Sequence, residues 1–471
     1  MRRGYPEYFS CSAEKTPPIY VLTRYPLIRV RCATATRPGH GPLELPGSLH
    51  GYSTDTPGKG LIGMKNNSVF AQPGFLRLLI GVSISLLGDQ FTMIATPWLV
   101  FKMTKDGLVL ATVMALVGLP RVVFLLFAGA LVDRYSPRAM LIISSLIGAA
   151  LLCILGVLVL TESLTTPVLY VFALAMGLVG AFAIPARMAI LPRVVPAQHL
   201  QAANSAVMGI SQISILLGPV LAGLLINTTQ GLGVAFLVDA LCFLVAALTV
   251  PRLAIAATAM IDEGKHMLRS ILDGLKWLWS DRTLRLLTVY WTIAVLLASG
   301  PIQVGLPILV EQQLGMGSAA FGILISANGF GQLAGIVLSG LRLAKAVPLG
   351  IAVCLIDFVA GLAMLGIGVN HVLIVAVALL FTLGVGAGFV QVGLYTWIQR
   401  RIPDGMLGRI ISILTLVMTA IAPLSALLTG VLTKYVPMAG LFVVGGISLS
   451  CFALLSMLSP TIRGVRTAYE T

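Results

Sequence analysis

Four ionisable side chains stand alone inside otherwise apolar runs, Asp239 and Asp357 in widely separated ones and two in successive ones: Asp89 in "SLLGDQFTMIATPWLVF" and Arg121 in "VMALVGLPRVVFLLF". A charge in hydrocarbon is costly and persists by pairing, by facing water or by carrying a proton. Asp89 and Arg121 sit at similar depth in successive runs, close enough in level to meet. A carboxyl there can bind a proton and a cation in alternation, or it can only orient two helices. "GALVDRYSPR" crowds Gly129, Asp133, Arg134 and Arg138 between two apolar segments. Those charges can pair with acids or lipid phosphates, or serve orientation alone. "GPVLAG", with Gly218, Pro219 and Gly223, lets helices approach closely and bends its run. Among mid-run residues, Phe91, Gln212, Tyr290, Gln303, Asn328, Gln332, Gln391 and Tyr395 are candidates for lining a small-molecule cavity, with Met93 and Trp291 as further greasy groups. Each polar one serves equally well as interhelical glue.

Such residues need elements that cross a bilayer. The 471-residue chain is 58% hydrophobic and only 10% charged, with a mean hydropathy of +0.98. Soluble domains carry roughly a quarter charged residues, so a single soluble core is excluded. Apolar stretches of about 20 residues predict twelve spans. They fall near 75–101, 108–132, 138–160, 167–190, 203–227, 232–250, 284–310, 318–341, 347–368, 371–398, 408–431 and 437–458. The polar stretch 251–283 divides six from six. The expected class is therefore an all-α integral membrane protein with two pseudo-repeated six-helix bundles, 71–250 and 284–460, and a tail over 461–471. A shift of 207 residues supports the repeat: it superposes Arg193 on Arg400, Pro196 on Pro403, Ser205 on Ser412 and Gly223 on Gly430.

Residues 1–70 are rich in Pro, Gly, Thr and Arg. They read as a disordered extension or, if Met64 is the start, as a segment outside the protein proper. The net charge of +14 is scattered through loops, which speaks for membrane topology and against nucleic acid. Alternate loops hold Arg134 and Arg138, Arg187 and Arg193, six basic residues over 252–285, Arg342 and Lys345, and Arg400, Arg401 and Arg409; the opposite loops hold only Lys102, Lys105 and Lys434. The positive-inside rule then places both termini in the cytosol. In "HMLRSILDGLKWLWSDRTLR" apolar residues recur at helical spacing, which predicts an interfacial amphipathic helix in the linker. No GxxxxGK[ST] loop, metal spacing or converging catalytic cluster occurs, so no cofactor and no enzymatic activity are expected.

The loop "GALVDRYSPR" resembles the signature between the second and third spans of the major facilitator superfamily. "GPVLAG" is similar to the glycine-proline motif of its antiporters, with Ala222 in place of a second terminal glycine. "SLLGDQFTMIATPWLVF", "DGLKWLWSDRTLRLL" and "TWIQRRIPDGMLGRIISI" resemble the bacterial enterobactin-exporter and macrolide-efflux branch. The resemblance covers about residues 70–460. It implies a transporter of the bacterial inner membrane, working as a monomer by alternating access. Amphipathic small molecules (a drug, a macrolide or a siderophore) would be exported in exchange for protons, in contact with membrane lipid. It also implies that Asp133 docks against the eleventh helix when the inner side is closed. Asp239 and Asp357 would face the outside of their bundles and bond to neighbouring helices. An importer or uniporter, or a transport-inactive sensor, are the alternatives.

Overall fold

The computed structural model describes residues 69–134, 136–251, 273–341, 348–402 and 406–465. The N-terminal extension, most of the linker and the last residues of the tail lie outside that set. Among the described residues there are twelve helices long and apolar enough to cross a membrane. They are α1 (Pro73–Thr104), α2 (Gly107–Arg134), α3 (Pro137–Leu160), α4 (Thr166–Val194), α5 (Leu200–Ile226) and α6 (Gly231–Thr249), then α7 (Arg282–Gln312), α8 (Ser318–Ser339), α9 (Leu349–Val369), α10 (Leu373–Arg401), α11 (Leu407–Leu432) and α12 (Met438–Ser456). No strand occurs among the described residues. Large apolar side chains such as Leu248, Ile374 and Leu458 are left uncovered by protein, as lipid-facing surfaces require.

The packing repeats with a step of six. α1 meets α5 and α6, α2 meets α4, and α3 meets α4 and α6; α7 meets α11 and α12, α8 meets α10, and α9 meets α10 and α12. The two most extensive contacts between the halves, α5 with α8 and α2 with α11, are exchanged by the same step; α1 also touches α7 and α8, and α2 touches α7. The Gly223/Gly430 match falls on this symmetry. A β-carbon at Gly223 would lie 2.6 Å from the Ser318 carbonyl oxygen of α8, and one at Gly430 would collide with Ala111 of α2.

Within the second half, glycines set the closest approach. Gly331 and Gly335 of α8 lie against the carbonyls of Phe381 and Val385, while Gly384 and Gly388 of α10 lie against those of Asn328 and Gln332. Such small residues allow backbones to touch where lipid supplies no hydrophobic drive.

α7 is interrupted by a π-helical turn over Pro301–Gly305. The hydroxyl of Ser425 on α11 enters the break: Gly300 N–H donates to Ser425 Oγ (2.7 Å), and Ser425 Oγ donates to the Leu296 carbonyl (2.6 Å). Ordinarily that N–H would bond that carbonyl directly, so one side chain replaces a rung of the ladder. Ser425→Ala would leave both buried groups unpaired, a cost of about 2–4 kcal/mol. A lowered unfolding temperature in detergent is the expected result, with Ser425→Thr partly restoring it.

At the start of α7, Asp281 accepts from the Thr283 and Leu284 N–H groups and from Arg401 of α10 at 2.8 and 3.1 Å. Burial pushes this carboxyl up, but the Arg401 and backbone hydrogen bonds together outweigh it and hold it below the usual range. Its stabilisation is thus present above about pH 4 and lost as pH falls through the lower folded value. Arg401 is partly solvated, so the pair is worth under about 1 kcal/mol. The difference in unfolding temperature between wild type and Asp281→Asn should shrink from pH 7 to about pH 3.

The expected amphipathic helix is described only over 273–280. There Leu278 is buried against the second half while Leu275 and Trp279 are uncovered.

Candidate functional site

The loops joining α2 to α3, α4 to α5 and α6 to α7 lie at the basic end of the bundle, and those joining α1 to α2, α5 to α6 and α7 to α8 at the charge-poor end. At the charge-poor end the halves are sealed. Lys105 pairs with Glu311, Trp98 of α1 stacks on Phe321 of α8 with centroids 6.2 Å apart, and Ser318 Oγ donates to the Gly223 carbonyl at 3.1 Å. Here "GPVLAG" has two faces: Gly218 packs on Gln90 of α1, and Gly223 on Ser318 and Gly322 of α8. Pro219 and Ala222 are buried between them.

Toward the basic end the seal gives way. Met208, Gln212, Ile215, Pro219 and Gly223 follow helical spacing along the α5 face that looks toward α8. Pro219 and Ile215 are in contact with Gly322 and Gly329 of α8, but Met208 is 70% exposed and nothing lies within 4 Å of a β-carbon at Gly209. The space between the halves is therefore open at the basic end. A surface ion pair contributes only about 0.2–1 kcal/mol, so Lys105→Ala should loosen the seal modestly. The expected reading is a roughly two- to fivefold faster thiol labelling of Ala320→Cys, a buried position of α8 beside the seal.

Asp89 lies near the middle of α1 and is 39% exposed, its carboxylate 3.9 Å from Arg187 of α4. Arg187 is itself held by donating to Ser85 Oγ, one turn before Asp89, at 3.2 Å. The loop-charge count includes Arg187 although the expected span 167–190 contains it; the structure decides for the helix, because α4 continues to Val194. The candidate partner Arg121 contributes electrostatically to Asp89 but forms no salt bridge with it. The Arg121 guanidinium instead occupies the space left by Gly180 of α4, and its buried Nε has no hydrogen-bond partner. One carboxylate thus faces two guanidiniums where α1, α2 and α4 converge.

The other acids are placed differently from expectation. Asp239 is 1% exposed and accepts from Thr92 of α1; Asp357 accepts from Tyr290 of α7 at 2.7 Å. Both bond to neighbouring helices, but they point into helix contacts and not to the outside of the bundles. Tyr290, stacked on Phe452, and Phe91 are buried in packing clusters. Asn328 donates to the Leu380 carbonyl at 3.1 Å, tying α8 to α10. Gln303, in the π turn, donates to Ser299 at 2.7 Å and is exposed, as are Gln391 and Tyr395; Gln212 and Gln332 are half-buried. The expected loop "GALVDRYSPR" is mostly helical, since α2 runs to Arg134 and α3 starts at Pro137; Arg138, in the first turn of α3, donates to the Pro251 carbonyl just after α6 at 3.0 Å. The side chains of Gly129, Asp133, Arg134 and Arg409 lie outside the described residues. Arg187, Ser85 and Thr92 are what sequence reasoning missed. The apolar run continuing past Arg187 to Leu191 is the signal that favours the span over the loop.

Comparison with known proteins agrees with this architecture. The chain is 26% identical over 423 residues to the multidrug efflux pump Tap of Mycobacterium tuberculosis (strain ATCC 25618 / H37Rv), covering 83% of this chain and 94% of that protein. It is 25% identical over 379 residues to the staphyloferrin A transporter of Staphylococcus aureus, covering 78% and 92%. It is 26% identical over 354 residues to the enterobactin exporter EntS of Escherichia coli, covering 74% and 81%. In fold it is similar to the nucleoside transporter NupG, with a TM-score of 0.65 at 13% identity over 82% of this chain and 98% of that one. It also resembles a bacterial homologue of the lysosomal transporter Spinster in an inward-facing, unoccupied conformation, with a TM-score of 0.62 at 12% identity over 84% and 98%. The family model for the Major Facilitator Superfamily matches residues 78–426. Twelve spans, two exchangeable halves and this match lead to one conclusion: the chain belongs to the Major Facilitator Superfamily and is a multi-pass membrane transporter, not an enzyme.

Proposed function

We propose that this transporter exports amphipathic small molecules across the bacterial inner membrane by proton antiport, with both termini cytosolic. The halves 71–250 and 284–460, joined by the linker 251–283, rock about the α5–α8 and α2–α11 contacts, and the basic-end opening is then the cytosolic one. The observation that carries the reading is the partly exposed Asp89 carboxylate deep in the bundle, faced by Arg187 and Arg121. An acid that a cation or a polar substrate group can reach, and that a proton can neutralise, makes substrate and proton binding mutually exclusive. That exclusivity is the requirement of antiport. The greasy, adaptable side of the opening, with Met208 and Met93 uncovered, suits amphipathic substrates. In the same reading Asp133, with Gly129, Arg134 and Arg138, gates the cytosolic end when it closes. The named activities of Tap, EntS and the staphyloferrin A transporter support export of a drug or a siderophore.

The test is substrate-dependent proton movement in proteoliposomes for wild type and Asp89→Asn, with a panel of macrolides, cationic dyes and siderophores. Coupled flux in wild type and uncoupled flux in the variant is expected. Flux with no proton movement in either protein would replace antiport by uniport. Coupling that survives Asp89→Asn would remove Asp89 from the role given to it.

A further inference from the structure

Asp239 is the most deeply buried acid among the described residues that has no cation beside it. One carboxyl oxygen accepts from the Thr92 hydroxyl; the other, Oδ1, is buried without a partner. Gly88 of α1 makes room for it, since a β-carbon there would lie 2.5 Å from Oδ1 and 2.6 Å from Cys242 Cβ. The orphan oxygen thus rests against the α1 backbone at the residue preceding Asp89.

The groups around it offer no compensating positive charge. From α1 it meets Thr92 and feels Asp89, itself an acid; Arg77 and Lys102 belong to the two ends of that helix. Its own helix contributes the Cys242 thiol, one turn on. α3 carries Arg138 at its far end, engaged by the Pro251 carbonyl, and Cys153, which is exposed. α5 carries no ionisable side chain. A lone carboxylate so placed is strongly disfavoured, whereas the neutral acid, protonated on Oδ2 toward Thr92, leaves Oδ1 an uncharged carbonyl oxygen that costs little to bury. Thr92 is three residues after Asp89 on α1, the spacing at which side chains on one helix meet. A hydroxyl that donates to one acid keeps lone pairs to accept from another.

We infer that Asp239 is a second proton-carrying residue of the transport cycle, loaded from Asp89 through the Thr92 hydroxyl. In that step the Asp89 carboxylic acid gives its proton to Thr92 Oγ1 while the Thr92 hydroxyl proton passes to Asp239 Oδ2. Asp89 is left ionised beside Arg187, Asp239 becomes neutral, and Thr92 is unchanged. Asp89, open to the space between the halves, exchanges with the medium; Asp239 does not. The inference rests on the proton-antiport reading and adds a carrier to it.

Infrared difference spectra between acid and alkaline pH, on the purified full chain in lipid, test this without a transported substrate. Wild type should show a carboxylic-acid signal that vanishes on alkalinisation and includes a component missing in Asp239→Asn. In Thr92→Val, which keeps the acid, that component should persist but exchange its proton at least about tenfold more slowly, as loss of a positioned relay group implies. In proteoliposomes the protons moved per substrate should fall by about half in Asp239→Asn, since two coupled acids become one, and recover in Asp239→Glu. A spectrum unchanged in Asp239→Asn would overturn the inference. So would an Asp239 component that stays protonated at every pH, the mark of a purely structural acid. If Asp89→Asn uncouples flux while Asp239→Asn does not alter it, only this inference fails. If Asp89→Asn leaves coupling intact, the antiport reading itself fails.

Discussion

Arg187→Gln is expected to cut proton-coupled flux about tenfold, and to do so only while Asp89 is present. Stripping a fully buried acid of its partner costs roughly 3–5 kcal/mol. Asp89 is 39% exposed and Arg121 still acts on it, so solvent and the second guanidinium reduce the loss. About 1.4 kcal/mol remains, a factor of ten. Because Arg187 acts through the acid, the double variant Asp89→Asn/Arg187→Gln should be no worse than Asp89→Asn alone. Additive losses in this cycle would mean that the arginine has a separate task, such as contacting substrate directly. Proteoliposome flux under an imposed pH gradient is the measurement. Arg187→Lys should recover only part of the flux, since a point charge cannot donate to Ser85 and face Asp89 with one planar fork.

That residue also marks where sequence reasoning stops. The twelve spans are readable from hydropathy because a bilayer dictates the length and polarity of anything that crosses it. Helix ends are less readable, since basic residues near a terminus belong to the helix as often as to the loop. Arg401 ends α10 and Arg282 begins α7, and both look like loop charges in a window of neighbours. Arg187 is the extreme case: its partners Asp89 and Ser85 are about a hundred residues away, and no local pattern reports them. The same holds for Ser425, which repairs a helix it does not belong to. Asp89 and Arg121 could be singled out because each is anomalous in its own run; that Arg187 is nearer to the acid than Arg121 is a fact of packing. The repeat match at Gly223 and Gly430 was a few common residues in the sequence and acquires meaning only when both glycines turn up at exchangeable contacts between the halves.

Glycine substitutions should separate packing from motion, with opposite signs in two places. Gly384→Ala is expected to lower stability by roughly 2–4 kcal/mol. Helix propensity alone would favour alanine by about 1 kcal/mol, but the new methyl would collide with the Asn328 carbonyl. A backbone oxygen cannot rotate away, so α8 and α10 must part and lose contact along the whole crossing, as overpacked interfaces do. Gly209→Ala faces nothing within 4 Å and should be neutral or stabilising by up to about 1 kcal/mol. Yet Gly209 lies fourteen residues before Gly223, within about 40° of the same α5 face. When the open end closes, that face must meet α8 as Gly223 does at the sealed end. Gly209→Leu should therefore leave the unfolding temperature in detergent unchanged while stalling transport with the basic end open. Faster thiol labelling of Met208→Cys in the Gly209→Leu background, beside undiminished thermal stability, would identify the stall. Normal flux with Gly209→Leu would show that the halves do not close along α5 and α8, and the rocking motion would have to be sought at α2 and α11.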